Sequence, residues 1–183
     1  MPRIKPITNK TDVSEDRYAE IDAIEAVLHR VGGPFSMLMH SPGLAQKVME
    51  AGAHVRLKST LSPVHREIII IAVSREKDAG YEWNSHVRTG RTAGMREEVI
   101  DAVRSRADVS HLDPDERDIV LYVRHLLRTN RVEQALFDSL RQRHDDRWMV
   151  ELTATIGQYQ YISAINNAFE ILPPADADPL PVG

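Results

Sequence analysis

The chain has 183 residues, with 23 Lys and Arg against 27 Asp and Glu for a formal net charge of -4, and 42% apolar residues. At that length one core can bury roughly 70% of the unfolded surface, and no run of about 18 uncharged apolar residues offers a membrane span. The absence of cysteine excludes disulfides, thiolate metal sites and thiol redox chemistry.

Cations scattered among acids leave no nucleic-acid footprint, and MPRIKPITNKTDVSEDRY lacks the apolar stretch of a secretory signal. A cytoplasmic protein without nucleic-acid or membrane partners is expected. Residues 1–13, with Pro2, Pro6 and Asn9, read as an extended arm. A helix is predicted from Thr11 or Ser14, with Ile21, Ile24, Val27, Leu28 and Val31 at helical spacing until Gly32, Gly33 and Pro34 end it. After a short segment, Pro42 opens a helix with Leu44, Val48, Met49 and Val55 on its apolar side.

Ser62-Pro63 reads as an N-cap followed by proline at the first helical position. The next stretch, HREIIIIAVS, favours a buried strand on β-propensity. The capped start, the polar continuation Arg75-Glu76-Lys77-Asp78 and Gly80 as a stop nevertheless make one element of about 16 residues, too long for a typical strand. A helix is predicted, with protein on most sides of its apolar middle. Asp113 as cap, Pro114, Glu116 and the stripe Ile119, Val120, Val123, Leu126 and Leu127 predict another helix up to Asn130. Val132, Leu136, Phe137 and Leu140 mark a further one. A long final helix is predicted from Asp146 to Leu172, carrying Trp148, Leu152, Ile156, Tyr159, Ile165 and Phe169, with Gly157 as a break point. The tail from residue 173 to 183, with four prolines, reads as an exit or as an arm on a neighbouring subunit. With no repeat and no linker, the chain is read as one all-α domain over residues 1–183.

The chemistry concentrates between residues 65 and 94. On a helix, Ala79, Glu82, His86, Gly90 and Ala93 share one stripe. That face is small except for one acid and one imidazole, which would be partly desolvated and in need of partners. Upstream, Glu67 interrupts the apolar helix, so two carboxylates and one histidine can converge. Glu67, Glu82 and His86 could hold a divalent ion, but no H-E-x-x-H or second histidine at helical spacing accompanies them, and no metal or other cofactor is expected. Ser85 beside His86 does not read as a nucleophile, because neighbours on a helix point apart. Tyr81 and Trp83 suit a core or a pocket wall equally. His65 and Arg66 are placed at the rim, where Arg66 meets an anionic substrate or solvent, and Arg88 and Arg91 leave the same choice open. Tyr159, Tyr161 and Asn167 on the last helix either close a pocket or pack. His29, His40, His54, His111, His125 and His144 show no partner pattern.

Glu67, eleven residues, position 79, two residues, position 82, three residues and His86 reproduce the register of the alkylhydroperoxidase D motif E-x11-C-x-x-C-x3-H. With SPVHREIIIIAVSR, YEWNSH, RTAGM and GQYQYISAINNAFEILPP, the chain resembles the carboxymuconolactone decarboxylase-like, alkylhydroperoxidase D-like superfamily over roughly residues 34 to 174. The resemblance implies an all-helical, alkylhydroperoxidase D-like domain that assembles as a dimer, trimer or hexamer. Ala79 and Glu82 replace both motif cysteines, so the peroxidase cycle has no sulfur to run on. The YEWxxH form is similar to the cysteine-free branch named for loss of CO2 from γ-carboxymuconolactone. This implies cofactor-independent acid/base chemistry on a small carboxylated lactone or aromatic-catabolism intermediate. His86 would be the proton donor and acceptor, Glu67 and Glu82 its orienting partners, and Tyr81, Trp83, Arg66 and Tyr159 the substrate contacts. The rival expectation is a non-catalytic helical oligomer or ligand-binding protein in which the Glu/His cluster fixes packing. A solvent-connected cavity reaching His86 distinguishes the two.

Overall fold

Every proline-led start read from the sequence opens a helix in the computed structural model, which describes residues 1–181 and holds no strand among them. The helices are α1 (Tyr18–Leu28), α2 (Pro34–Leu38), α3 (Pro42–Leu57), α4 (Pro63–Glu76), α5 (Gly80–Ala93), α6 (Glu97–Arg104), α7 (Pro114–Thr129), α8 (Gln134–Arg141) and α9 (Asp146–Phe169). None is long and apolar enough to cross a membrane.

The isoleucine run forms the centre of α4, whose Ser62 side chain accepts from the His65 N–H. Ile68, Ile69, Ile70 and Ile71 are each 0% exposed. A helix that is apolar all round is stable only inside a protein, and α5, α6, α7 and α9 supply that enclosure. Each buried isoleucine contributes on the order of 2 kcal/mol relative to an exposed one. α4 ends earlier than expected, because Asp78 takes a left-handed φ of 48°, and Gly80 opens α5 instead of stopping α4. Asp78 is held there by ion pairs to Arg75 and Arg106.

Other boundaries also move for local reasons. Thr11 and Ser14 do not start α1; they lie among two 3-10 turns, Lys10–Asp12 and Glu15–Arg17. The Asn9 side chain accepts from the Thr11 N–H and Asp12 from the Thr8 N–H, side-chain bonds that compete with a helix. Val31 falls beyond α1, after left-handed His29, yet remains buried. α6 was not anticipated, although its acidic first turn and Val99, Ile100 and Val103 spacing carry the signal. α7 has the expected capping box. α9 runs through Gly157 without interruption and stops at Phe169, not Leu172, where Glu170 adopts φ 55°.

Two apolar clusters result. The larger is built on α4 to α9, and the smaller joins Ile7, α1, α2 and α3 to Ile162 of α9. The arm therefore belongs to the core, with Ile7 buried and its N–H bonded to the Ser36 carbonyl. The tail, over its described residues, reaches back to its own chain. Asp178 accepts from Arg91 at 2.8 Å and Arg104 at 2.7 Å, and Leu180 packs on the larger cluster. α9 bridges both clusters, and Glu67, Glu82 and His86 meet beside it.

Candidate active site

Helical phase places Glu82 and His86 one turn apart on α5, facing Glu67 on α4. His86 Nδ1 lies 2.6 Å from Glu67 Oε2 and Nε2 lies 3.4 Å from Glu82 Oε2. Both carboxylates are buried, Glu67 at 2% exposure. Each has a second partner: Arg66 Nε donates to Glu67 Oε1 at 3.2 Å, and Asn166 Nδ2 donates to Glu82 Oε1 at 2.8 Å. Buried charges persist only when paired and hydrogen-bonded, and two anions here face one imidazole and one guanidinium. Gly90 faces α4 and the Met95 side chain: a Cβ there would stand 3.4 Å from Cβ of Glu67 and would displace the Met95 methyl.

Burial by itself would lower the His86 pKa, but the hydrogen bonds and charges of Glu67 and Glu82 raise it to about 9. His86 is therefore an imidazolium at neutral pH, a proton donor. Its ring meets Tyr159 edge-on, with centroids 4.9 Å apart. Burial, reinforced by the Glu82 charge, raises the pKa of both Tyr159 and Tyr81, so both phenols keep their protons.

A cavity of about 190 Å³ reaches this cluster. It is smaller than the roughly 300–1,000 Å³ typical of sites for drug-sized ligands, which restricts it to a small molecule. Glu82, His86, Tyr81 and Tyr159 line it, together with Ser85 and two cations that the sequence did not single out, Arg30 and Arg56. The remaining sequence-selected residues lie elsewhere. Arg66 stands behind Glu67, bonding that carboxylate and the Arg56 carbonyl, and is not among the lining residues. Trp83 is wholly buried in the larger cluster beneath the Arg104 guanidinium. Tyr161 is exposed, and Asn167 bonds the Lys77 carbonyl, leaving Asn166 as the α9 amide in the cluster. Arg91 is committed to Glu97 and Asp178, and Arg88 is exposed.

Gly33 lets Tyr81 reach the cavity wall. It has φ 52°, and a Cβ there would come within 2.6 Å of the phenol ring. Gly33→Ala is expected to cost about 1–3 kcal/mol of backbone strain and to push Tyr81 aside. Urea denaturation of the variant checks this, and unchanged stability would show that the close approach is not rigid.

Residues 42–125 match the carboxymuconolactone decarboxylase family, a segment that includes Glu67, Glu82 and His86. No curated protein matches the chain. Among solved structures, it is similar to the alkylhydroperoxidase AhpD core protein, an uncharacterized peroxidase-related protein of Ralstonia eutropha JMP134. The TM-score is 0.75 at 19% identity, over 96% of this chain and 93% of that one. An uncharacterized peroxidase-related protein of Silicibacter sp. TM1040 gives 0.72 at 18%, over 89% and 87%. The apo debrominase Bmp8 gives 0.68 at 15%, over 94% and 92%. Residues 42–125 thus carry the match to the carboxymuconolactone decarboxylase family, in a cysteine-free chain whose helices adopt an alkylhydroperoxidase D-like fold.

Proposed function

We propose that the chain is a cofactor-independent acid/base enzyme that removes CO2 from a small carboxylated lactone or a related aromatic-catabolism intermediate. The observation that carries this reading is the opening of His86, held between two carboxylates, onto a small cavity that also contains Arg30 and Arg56. A cluster serving packing alone would need neither the cavity nor the two cations.

In this reading Arg30 and Arg56 hold the carboxylate of the substrate. The bond to the departing carboxylate breaks, its electron pair passes into the conjugated lactone carbonyl, and CO2 leaves. The protonated phenol of Tyr81 hydrogen-bonds the enolate oxygen, and the His86 imidazolium gives its proton to carbon; solvent then restores it. Glu67 and Glu82 keep the ring charged and oriented. The solved debrominase variant in complex with 2,3,4-tribromopyrrole gives 14% identity and a TM-score of 0.68, and a small ring is the size of ligand that the present cavity admits. A homo-oligomeric state and a cytoplasmic location belong to the same proposal through the family resemblance.

The test is CO2 release from γ-carboxymuconolactone and a panel of carboxylated lactones, with Arg30→Ala and Arg56→Ala beside the parent. A hydrogen bond to a charged group contributes about 1.5–3 kcal/mol, so each variant is expected to raise KM roughly 10- to 100-fold with a smaller change in kcat. The absence of both turnover and binding across the panel would overturn the reading, as would unchanged KM in both variants.

A further inference from the structure

A second convergence of chemistry lies away from the His86 cavity. His65 in the first turn of α4, Asp115 in the first turn of α7 and His144 in the loop between α8 and α9 place one donor atom each within 4.8 Å of one another. His144 Nε2 is 3.0 Å from Asp115 Oδ1, and His65 Nε2 is 4.0 Å from Asp115 Oδ2. Ligand bonds of about 2.0–2.1 Å set donor atoms about 3–4 Å apart around one ion; His144 already stands at that spacing from Asp115, and the group as a whole, within 4.8 Å, needs a small inward turn of its side chains to close on an ion. Residues separated by 50 and 29 positions meet, so no local periodicity could have shown the group.

We propose that His65, Asp115 and His144 form a binding site for a divalent transition-metal ion of the zinc class. Two imidazoles and one carboxylate suit zinc, nickel or iron better than magnesium or calcium. The rings are already oriented: His144 stacks on Trp148 with centroids 3.7 Å apart and planes 8° from parallel, and His65 meets both edge-on. A cavity of about 360 Å³, lined by His65 and Asp115, adjoins the group. Three protein ligands therefore leave a position open for water or a small anion, as in zinc sites that are not purely structural. The nearest competing cation is Arg143, whose Nε donates to Asp115 Oδ1 at 2.6 Å. It has an independent anchor, Nη2 to Asp118 Oδ2 at 2.7 Å, so the Asp115 carboxylate can turn to an ion without leaving Arg143 unpaired. The flanking acids Asp113 and Glu116 pair with Arg96. None of the residues lining this cavity lines the His86 cavity, so the proposal does not rest on the proposed lyase activity. The ion would clip α4, α7 and the α8–α9 loop together.

The experiment titrates Zn²⁺ into chelator-treated protein by calorimetry. It uses the parent, His144→Ala, Asp115→Asn and His86→Gln, with circular dichroism confirming that each metal-free variant is folded. One zinc per chain is expected for the parent and for His86→Gln, with binding at least tenfold weaker in the other two. Histidine-selective NMR of the parent supplies a readout that needs no substitution: zinc should shift the rings of His65 and His144 and leave His86 unmoved. Absence of stoichiometric binding, equal binding in all four proteins, or zinc that perturbs His86 instead would overturn the site.

Discussion

His86→Gln is expected to lower turnover by roughly 10²–10⁴-fold, the contribution general acid/base catalysis makes, while the helices remain folded at room temperature. Glutamine fills similar space and can hydrogen-bond one of the two carboxylates, but it carries no transferable proton. Arg66 still donates to Glu67 and Asn166 still donates to Glu82, so neither acid is stranded entirely. The lost positive charge is expected to destabilise the variant by about 3 kcal/mol, as removal of one partner from a buried ion pair does. The parent rate should be level below about pH 9 and fall as the pH rises through that value, because burial is outweighed there by the two glutamates. Rate–pH profiles and thermal melts of both proteins check this. Full activity in His86→Gln, or a parent rate that climbs through pH 9, would show the histidine to be a packing element.

Glu67→Gln should act through the same ring by a different route. The nearest anion to Nδ1 disappears, so the His86 pKa should fall toward its ordinary value and the alkaline limb of the rate profile should move to lower pH. Stability follows with a definite sign. In the parent the folded-state pKa of about 9 exceeds the ordinary 6.5, so protonated His86 contributes stability that is fully present below about pH 6.5. That contribution, on the order of 3 kcal/mol, is lost as the pH rises through about 9. The stability gap between parent and Glu67→Gln should therefore be widest near pH 6 and should narrow toward pH 10. Urea denaturation at both values measures it, and a gap independent of pH would mean that Glu67 does not set the charge of His86.

The sequence by itself determined the parts of this protein that depend on neighbours along the chain. Proline after a cap at Ser62 and Asp113 specified where α4 and α7 begin, since the cap bonds and the fixed proline φ are local. The spacing of Glu82 and His86 required one helical face, because 3.6 residues make a turn. The zero cysteine count removed thiol chemistry without any coordinates. Boundaries slipped where a side chain competed with the backbone, as at Asn9 and Asp12, or where a residue other than glycine took a left-handed turn, as at Asp78 and Glu170. What only the tertiary structure decided is which distant segments face the same space. Arg30 follows α1 and Arg56 ends α3, with no pattern linking either to His86, yet packing of the smaller cluster against α9 brings both to the cavity. The choice of Asn166 over Asn167, the retreat of Trp83 and Arg66 behind the wall, and the meeting of His144 with His65 arise in the same way. Contacts across long loops depend on how buried faces fit, a three-dimensional condition that periodicity along one helix does not encode.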